Sequence, residues 1–159
     1  PDEMIYHMNN DLFLTKTGGM FVTAILGHYN TITDEISWVN GGHQPALLRE
    51  KNGKFDQVES AAPPMGVIQQ KNKSLYKINR TKLNGKRFYA FTDGLSESLD
   101  SKGNEIGIEG SIKIIEKNFN DDVSKQLSNI AKDVEKSSGK NKLSDDLTLI
   151  AIGKWAKPI

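Results

Sequence analysis

Cysteine is absent from the 159-residue chain, which excludes disulfides, thiolate zinc sites and cysteine nucleophiles. No apolar run approaches the ~18 residues that a membrane-crossing helix needs, and no charged-then-apolar leader opens the sequence. The expected location is therefore the cytoplasm, with no membrane contact from this segment. Charge of one sign is lacking too. Lys and Arg number 21 against 20 Asp and Glu, a net charge of +1, so no global field argues for nucleic acid. There is no P-loop, and "GIEG" at Gly107 to Gly110 lacks the dinucleotide spacing. "DSKGNEIG" from Asp100 hints at a calcium loop, but the twelfth position is Ser111 rather than a bidentate acid, which rules out an EF-hand. What is present is 36% apolar and 26% charged residues, the composition of one folded domain with a real core. The first residue is Pro1 rather than methionine, so the chain is expected to have been cut or processed.

Periodicity organises the rest. "PDEMIYHMNNDLFL" places Met4, Ile5, Met8 and Leu12 on one helical face, with Asp2 as the expected N-cap. "GGMFVTAILGHYN" reads as a long strand and "DEISWVN" as another, after a turn near Thr33 and Asp34. "NGGHQP" from Asn40 to Pro45 reads as a turn from which "ALLRE" pairs back. "KNG" at Lys51 to Gly53 is a hairpin signal, because Asn-Gly tolerates the positive φ of tight turns. "SLYKINR" and "KRFYAFT" read as two strands joined across Asn84-Gly85. Ile108, Ile112 and Ile115 predict one helix. Val123, Leu127, Ile130, Ala131 and Val134 predict a second, ending near Gly139. "DLTLIAIG" reads as a last buried strand inserting beside an earlier one. The order of helix, hairpins, two helices and strand predicts an α+β fold with a mainly antiparallel sheet.

Two carboxylates sit where buried strands should not carry them. Phe88 to Phe91 is apolar on both faces yet runs directly into Asp93, followed by Gly94. Asp145 and Asp146 precede the equally apolar last strand. If the two strands are antiparallel neighbours, these acids converge at one sheet end. Carboxylates so placed need a cation, and oxygen donors suit hard ions such as magnesium and manganese. Glu97 lies four residues after Asp93, on the same side of one helical turn. Each feature is also an ordinary turn, since Asp and Gly dominate turns. His43, on the "NGGHQP" turn, could orient a phosphate or donate to a backbone carbonyl. Ser60 to Thr92 has no acid but carries Lys71, Lys73, Lys77, Arg80, Lys82, Lys86 and Arg87. That stretch is either a docking face for an acidic partner or the solvated face of a hairpin.

"MFVTAILGHYN", "ISWVNGGHQPALL", "YAFTDGLSES" and "SDDLTLIAIG", in this order and spacing, resemble the SpoIIE/RsbU-type branch of the PPM (PP2C-like) serine/threonine phosphatases. The resemblance runs from about Met4 to Gly153. It implies a sandwich of two mainly antiparallel β-sheets flanked by α-helices. It also implies a site for two Mn2+ or Mg2+ ions and in-line attack of water on a phosphoserine or phosphothreonine, without a covalent phosphoenzyme. By resemblance Asp93 of "TDG" and Asp145 of "DDLT" are metal ligands. Asp146 and Glu97 lie near the site, where they stand behind those ligands or hold a further ion. The implied setting is bacterial signal transduction by partner switching. The substrate would be a phosphorylated regulatory protein, a STAS-type anti-sigma-factor antagonist, and an upstream sensor or receiver domain would share the parent chain.

The sequence departs from the family in two places. "LNGKRFYAF" replaces the usual Pro-Gly-Asp turn. The acids of the early "GD-F-D" and "GD-SGHG" stretches, one of which bridges both metals, are absent. Asp2, Asp11 and Asp34 are the only early aspartates, and none has a glycine-rich context. Residues 1–159 therefore read as the C-terminal two-thirds of one phosphatase domain, incomplete at the N-terminus and inactive alone. Strands missing from its sheets would leave edges through which it could form a homodimer. The competing expectation is a catalytically inactive phosphatase-like module that binds a regulatory protein.

Overall fold

The computed structural model of the protein describes residues 1–15, 18–100, 102–138 and 146–153. The chain divides into two compact units, each with its own antiparallel sheet. One contains residues 1–46 and 57–84; the other contains residues 47–56 and those from 85 onward.

The first unit opens with helix α1, Asp2–Leu14. Pro1 is its N-cap and no side chain caps it, so Asp2 lies inside the first turn and not at the expected cap. There its carboxylate pairs with Lys73 Nζ at 3.1 Å. Ile5 and Asn9 are the buried residues of the helix, whereas Met4 and Met8 are exposed. The predicted apolar face is thus rotated, because a buried amide takes the place expected for methionine.

Strand β1, Ala24–Asn30, is shorter than its apolar sequence suggested. Met20 and Phe21 stay exposed, and Val22 makes only an isolated bridge to Met65. β1 pairs with β2, Glu35–Gly41, and β2 pairs with β5, Asn79–Lys82, in the order β1-β2-β5. Ile5, Val39, Ala62, Met65 and Tyr76 form the core of this unit. Ser74 and Leu75, expected in a strand, belong instead to the 3-10 turn Lys73–Leu75, whose Asn72 side chain accepts the Ser74 N–H.

The second sheet consists of β3 (Ala46–Arg49), β4 (Phe55–Val58), β6 (Arg87–Phe91) and β7 (Leu149–Ile152) in the order β4-β3-β6-β7. The Lys51 to Gly53 hairpin forms as expected, with Gly53 at φ 87° and its N–H bonded to the Glu50 carbonyl at 3.0 Å. Two other turn readings need correction. "NGGHQP" does not fold β3 back on β2, and Asn84-Gly85 does not join β5 to β6 as a hairpin. Each passes the chain from one sheet to the other. The Asn-Gly pair has the positive φ values its type favours, 46° and 85°, but a turn's local geometry does not choose a strand's partner.

Helix α2, Asp93–Ser96, is a single turn. Helices α3, Gly107–Lys117, and α4, Val123–Ser138, match the predicted pair. Leu47, Tyr89, Phe91, Leu95, Ile115, Ile130 and Val134 form one core. On α4 the buried face carries Gln126 with Ile130 and Val134, while Ala131 is exposed. Gln126 is satisfied, because its Oε1 accepts from Arg87 Nη1 at 2.6 Å and Tyr89 Oη at 3.1 Å and its Nε2 donates to the Ile115 carbonyl at 3.1 Å. The last strand does return beside an earlier one, pairing antiparallel with β6. It lies at the sheet edge, however, and Ile150 is 51% exposed, so β7 is half-buried where full burial was expected. The predicted end near Gly139 lies outside the described residues.

Candidate metal centre

The segments next to the predicted carboxylates meet as the sheet register requires. Phe91 pairs with Leu149, so the residue leaving β6 and the residue entering β7 are neighbours. Thr92 N–H donates to the Thr148 carbonyl at 3.0 Å. Thr92 Oγ1 accepts the Thr148 N–H at 2.9 Å and donates to the Asp146 carbonyl at 3.0 Å. Gly94 lies directly against the same segment. A Cβ there would stand 2.6 Å from the Asp146 carbonyl oxygen and 2.9 Å from its carbon. Glycine at this position is thus demanded by close approach, and it brings the Asp93 turn onto the backbone of Asp146.

Asp93, Glu97 and Asp146 are all exposed. Asp93 and Glu97 bracket the single helical turn, with Glu97 N–H on the Asp93 carbonyl at 2.7 Å, so they share one side as the four-residue spacing suggested. Ser98 Oγ closes the turn on the Gly94 carbonyl at 2.6 Å. Asp145 lies outside the described residues. Among the described residues no group of three or more His, Asp or Glu side chains is arranged to hold a metal ion. The donors that these two segments carry, exposed carboxylates, are the oxygen chemistry that Mn2+ and Mg2+ take. In kind of donor, they fit such an ion.

His43 belongs to the first unit and is half-buried. Its N–H donates to Asn40 Oδ1 at 2.8 Å, and its Nδ1 lies 3.5 Å from the Gln44 carbonyl. The turn itself is held by Asn40 Nδ2 on Gln44 O at 2.9 Å and by Gly42 N–H on Ser60 Oγ at 2.9 Å. Gly42, at φ 72°, has no room for a side chain, since a Cβ would stand 2.4 Å from the Pro64 nitrogen.

The basic stretch is not one face. Lys73, Arg80 and Lys86 pair with Asp2, Glu35 and Glu50. Arg87 is buried, donating to the Asn120 and Asp121 carbonyls at 2.6 and 3.0 Å. Since β5 and β6 belong to different sheets, these cations do not form the face of one hairpin. The residue overlooked in the sequence is Thr92. Its signal was available, since it precedes Asp93 directly and so sits where the strand must stop.

Two antiparallel sheets with helices and an aspartate-bearing junction between adjacent strand ends define a PP2C-like fold. The chain belongs to the SpoIIE family: residues 1–154 match the model for stage II sporulation protein E. The phosphatase domain of SpoIIE from Bacillus subtilis, presoaked with Mn, is similar with a TM-score of 0.66 at 14% identity, covering 100% of this chain and 68% of that one. The RsbU and RsbW domains of a Mycobacterium tuberculosis protein give a TM-score of 0.65 at 21% identity, covering 94% of this chain and 41% of that one. Protein IcfG of Synechocystis sp. is 24% identical over 115 residues, which are 70% of this chain and 18% of the relative. The chain thus spans less than half the length of two of these relatives. Among its described residues no helix is long and apolar enough to cross a membrane.

Proposed function

We propose that this chain is the C-terminal two-thirds of a protein serine/threonine phosphatase domain, carrying some of its metal ligands, and that the domain acts on a phosphorylated regulatory protein in a bacterial partner-switching pathway. The observation that carries the reading is the contact of the Asp93-Gly94 turn with the backbone of Asp146, because it joins two acid-bearing segments far apart in sequence at one sheet end. Asp93 and Asp145 would hold Mn2+ or Mg2+, with Asp146 and Glu97 in supporting positions. When bound, such ions neutralise charge on the transferring phosphoryl group and lower the pKa of a water. The chain's own residues contribute position: the Gly94 contact and the Thr92 hydrogen bonds keep the two segments in register. Family membership and the Mn-presoaked SpoIIE relative support this reading. A STAS-type antagonist is the substrate class that the family implies.

The 159 residues carry none of the family's glycine-rich acidic stretches, so the chain by itself is expected to bind Mn2+ weakly and to leave a phosphoserine peptide intact. The test pairs this chain with a version extended upstream by such a stretch from a relative. The expected result is Mn2+-dependent hydrolysis by the extended version only, abolished by Asp93→Asn or Asp145→Asn. Equal activity in both would overturn the division of labour. If neither version hydrolyses the peptide and Asp93→Asn leaves Mn2+ binding unchanged, the phosphatase reading fails and the protein-binding module takes its place.

A further inference from the structure

We infer that Thr92 is a positioning residue for the metal centre, an inference that rests on the phosphatase reading above. The antiparallel register pairs Phe91 with Leu149, so the next rung of the ladder is Thr92 with Thr148. A complete hydrogen-bonded rung exchanges two backbone bonds, each residue giving its N–H to the other's carbonyl. Here only one has that form, Thr92 N–H to Thr148 O at 3.0 Å. The Thr92 carbonyl is turned to α2, where it accepts the Leu95 N–H at 3.1 Å. The Thr92 hydroxyl takes its place in the ladder and accepts the Thr148 N–H at 2.9 Å. The same hydroxyl gives its proton to the Asp146 carbonyl at 3.0 Å.

One side chain thus resolves a local conflict. The backbone at residue 92 must end a strand and start a helix, and its carbonyl is directed to the Leu95 N–H of the helix while the hydroxyl meets the Thr148 N–H. Thr92 also stands at the N-cap of α2 without making a side-chain cap bond, because its oxygen is engaged across the sheet. The hydroxyl holds residues 146–148 against the turn that carries Asp93, and the absent Cβ of Gly94 leaves them room. In this role Thr92 acts through the backbone of residues 146–148 and not as a ligand. It sets the distance between Asp93 and the segment bearing Asp146, and residues that orient ligands in this way change metal affinity by ~10–100-fold when removed.

The experiment compares Thr92→Val, Thr92→Ser and Asp93→Asn in the full chain, reading Mn2+ affinity by calorimetry and hydrogen exchange of the Thr148 amide in metal-free protein. Valine keeps the shape and removes the hydroxyl. It should speed Thr148 exchange and weaken Mn2+ binding about tenfold, and serine should restore both. Faster exchange with unchanged Mn2+ affinity would make the hydroxyl merely structural and overturn the inference, as would a serine variant that behaves like valine. Should valine prevent folding, Thr92→Ala against Thr92→Ser carries the same comparison. Loss of binding in Asp93→Asn with Thr92→Val unaffected overturns this inference alone. Equal affinities for the unaltered chain and Asp93→Asn, or no binding at all, overturn this inference, while the phosphatase reading is decided separately by the hydrolysis assay on the extended version.

Discussion

The two units solve the same problem, covering one face of a small antiparallel sheet, by different means. The second unit does it with apolar volume. Its core runs from Leu47 through Tyr89 and Phe91 to Ile115, Ile130 and Val134, and two of its buried polar residues, Arg87 and Gln126, are bonded to each other and to backbone carbonyls. The first unit relies more on side-chain amides that read a loop. Asn9 Oδ1 accepts the Gly66 N–H at 3.0 Å and its Nδ2 donates to the Ile68 carbonyl at 3.0 Å. Asn10 does the same for both backbone groups of Gln70, at 2.9 and 3.0 Å. Apolar side chains that could have covered this unit instead face outward, and Phe13, Leu14, Met20 and Val67 line a groove of about 470 Å³. An apolar core resists opening in proportion to its volume, whereas a polar latch depends on a few directional bonds.

The sharpest way to break this contrast is to hollow the apolar core and cut the latch in turn, following urea unfolding with separate NMR probes in the two sheets. Ile130 is 1% exposed, so Ile130→Ala removes contacts that close packing cannot restore and should cost about 3 kcal/mol. Asn9→Ala removes three bonds, to Gly66, Ile68 and Asn10, from a fully buried side chain and should cost about 2 kcal/mol, with the loss showing first in the amides of residues 66–70. If Asn9→Ala proves the more damaging, the latch and not the core carries the structure. The smallest expected effect is on alkali. Burial and the Asp34 carboxylate, which accepts from Tyr29 Oη at 2.7 Å, push the Tyr29 phenol up to about 12 from 10.0. A group with a raised folded pKa contributes stability below its unfolded value and loses it as pH rises through the folded one. The turn at Asp34 should therefore weaken between pH 10 and about 12. Tyr29→Phe should remove that part of the pH dependence, measured as thermal midpoint against pH. An unchanged alkaline profile in Tyr29→Phe would show that the Tyr29 to Asp34 bond contributes nothing there.

Much of this was readable because the informative residues break their own local pattern. An apolar strand running into Asp93, and another following acids near Asp146, announced a junction whose antiparallel pairing the register bears out. The one-turn helix that puts Glu97 on the side of Asp93 was likewise readable from spacing. Sheet membership was not. Asn84-Gly85 and "NGGHQP" specify turns through backbone preference, but the partner of β3 or β6 depends on burial summed over distant segments. Nor could "LIAI" reveal that one face of β7 is open, because an apolar residue at a sheet edge looks the same in sequence as one inside. The amide at Asn9 was hidden for the opposite reason, since a polar residue in a helix reads as solvent-facing until its loop partner is known.

The division of the chain bears on the order in which it can assemble. Residues 47–56 belong with those from 85 onward, although 57–84 return to the first unit. During synthesis every strand of the β1-β2-β5 sheet has appeared once Lys82 is made. The hairpin of β3 and β4, made earlier, must wait for β6, and the sheet closes only when Leu149 pairs with Phe91 across most of the second half of the chain. Contacts of such long separation slow folding. A nascent chain halted after Asn84 would thus carry β1, β2 and β5 together with a hairpin that lacks its neighbours, a species whose open strand edges invite pairing with other chains.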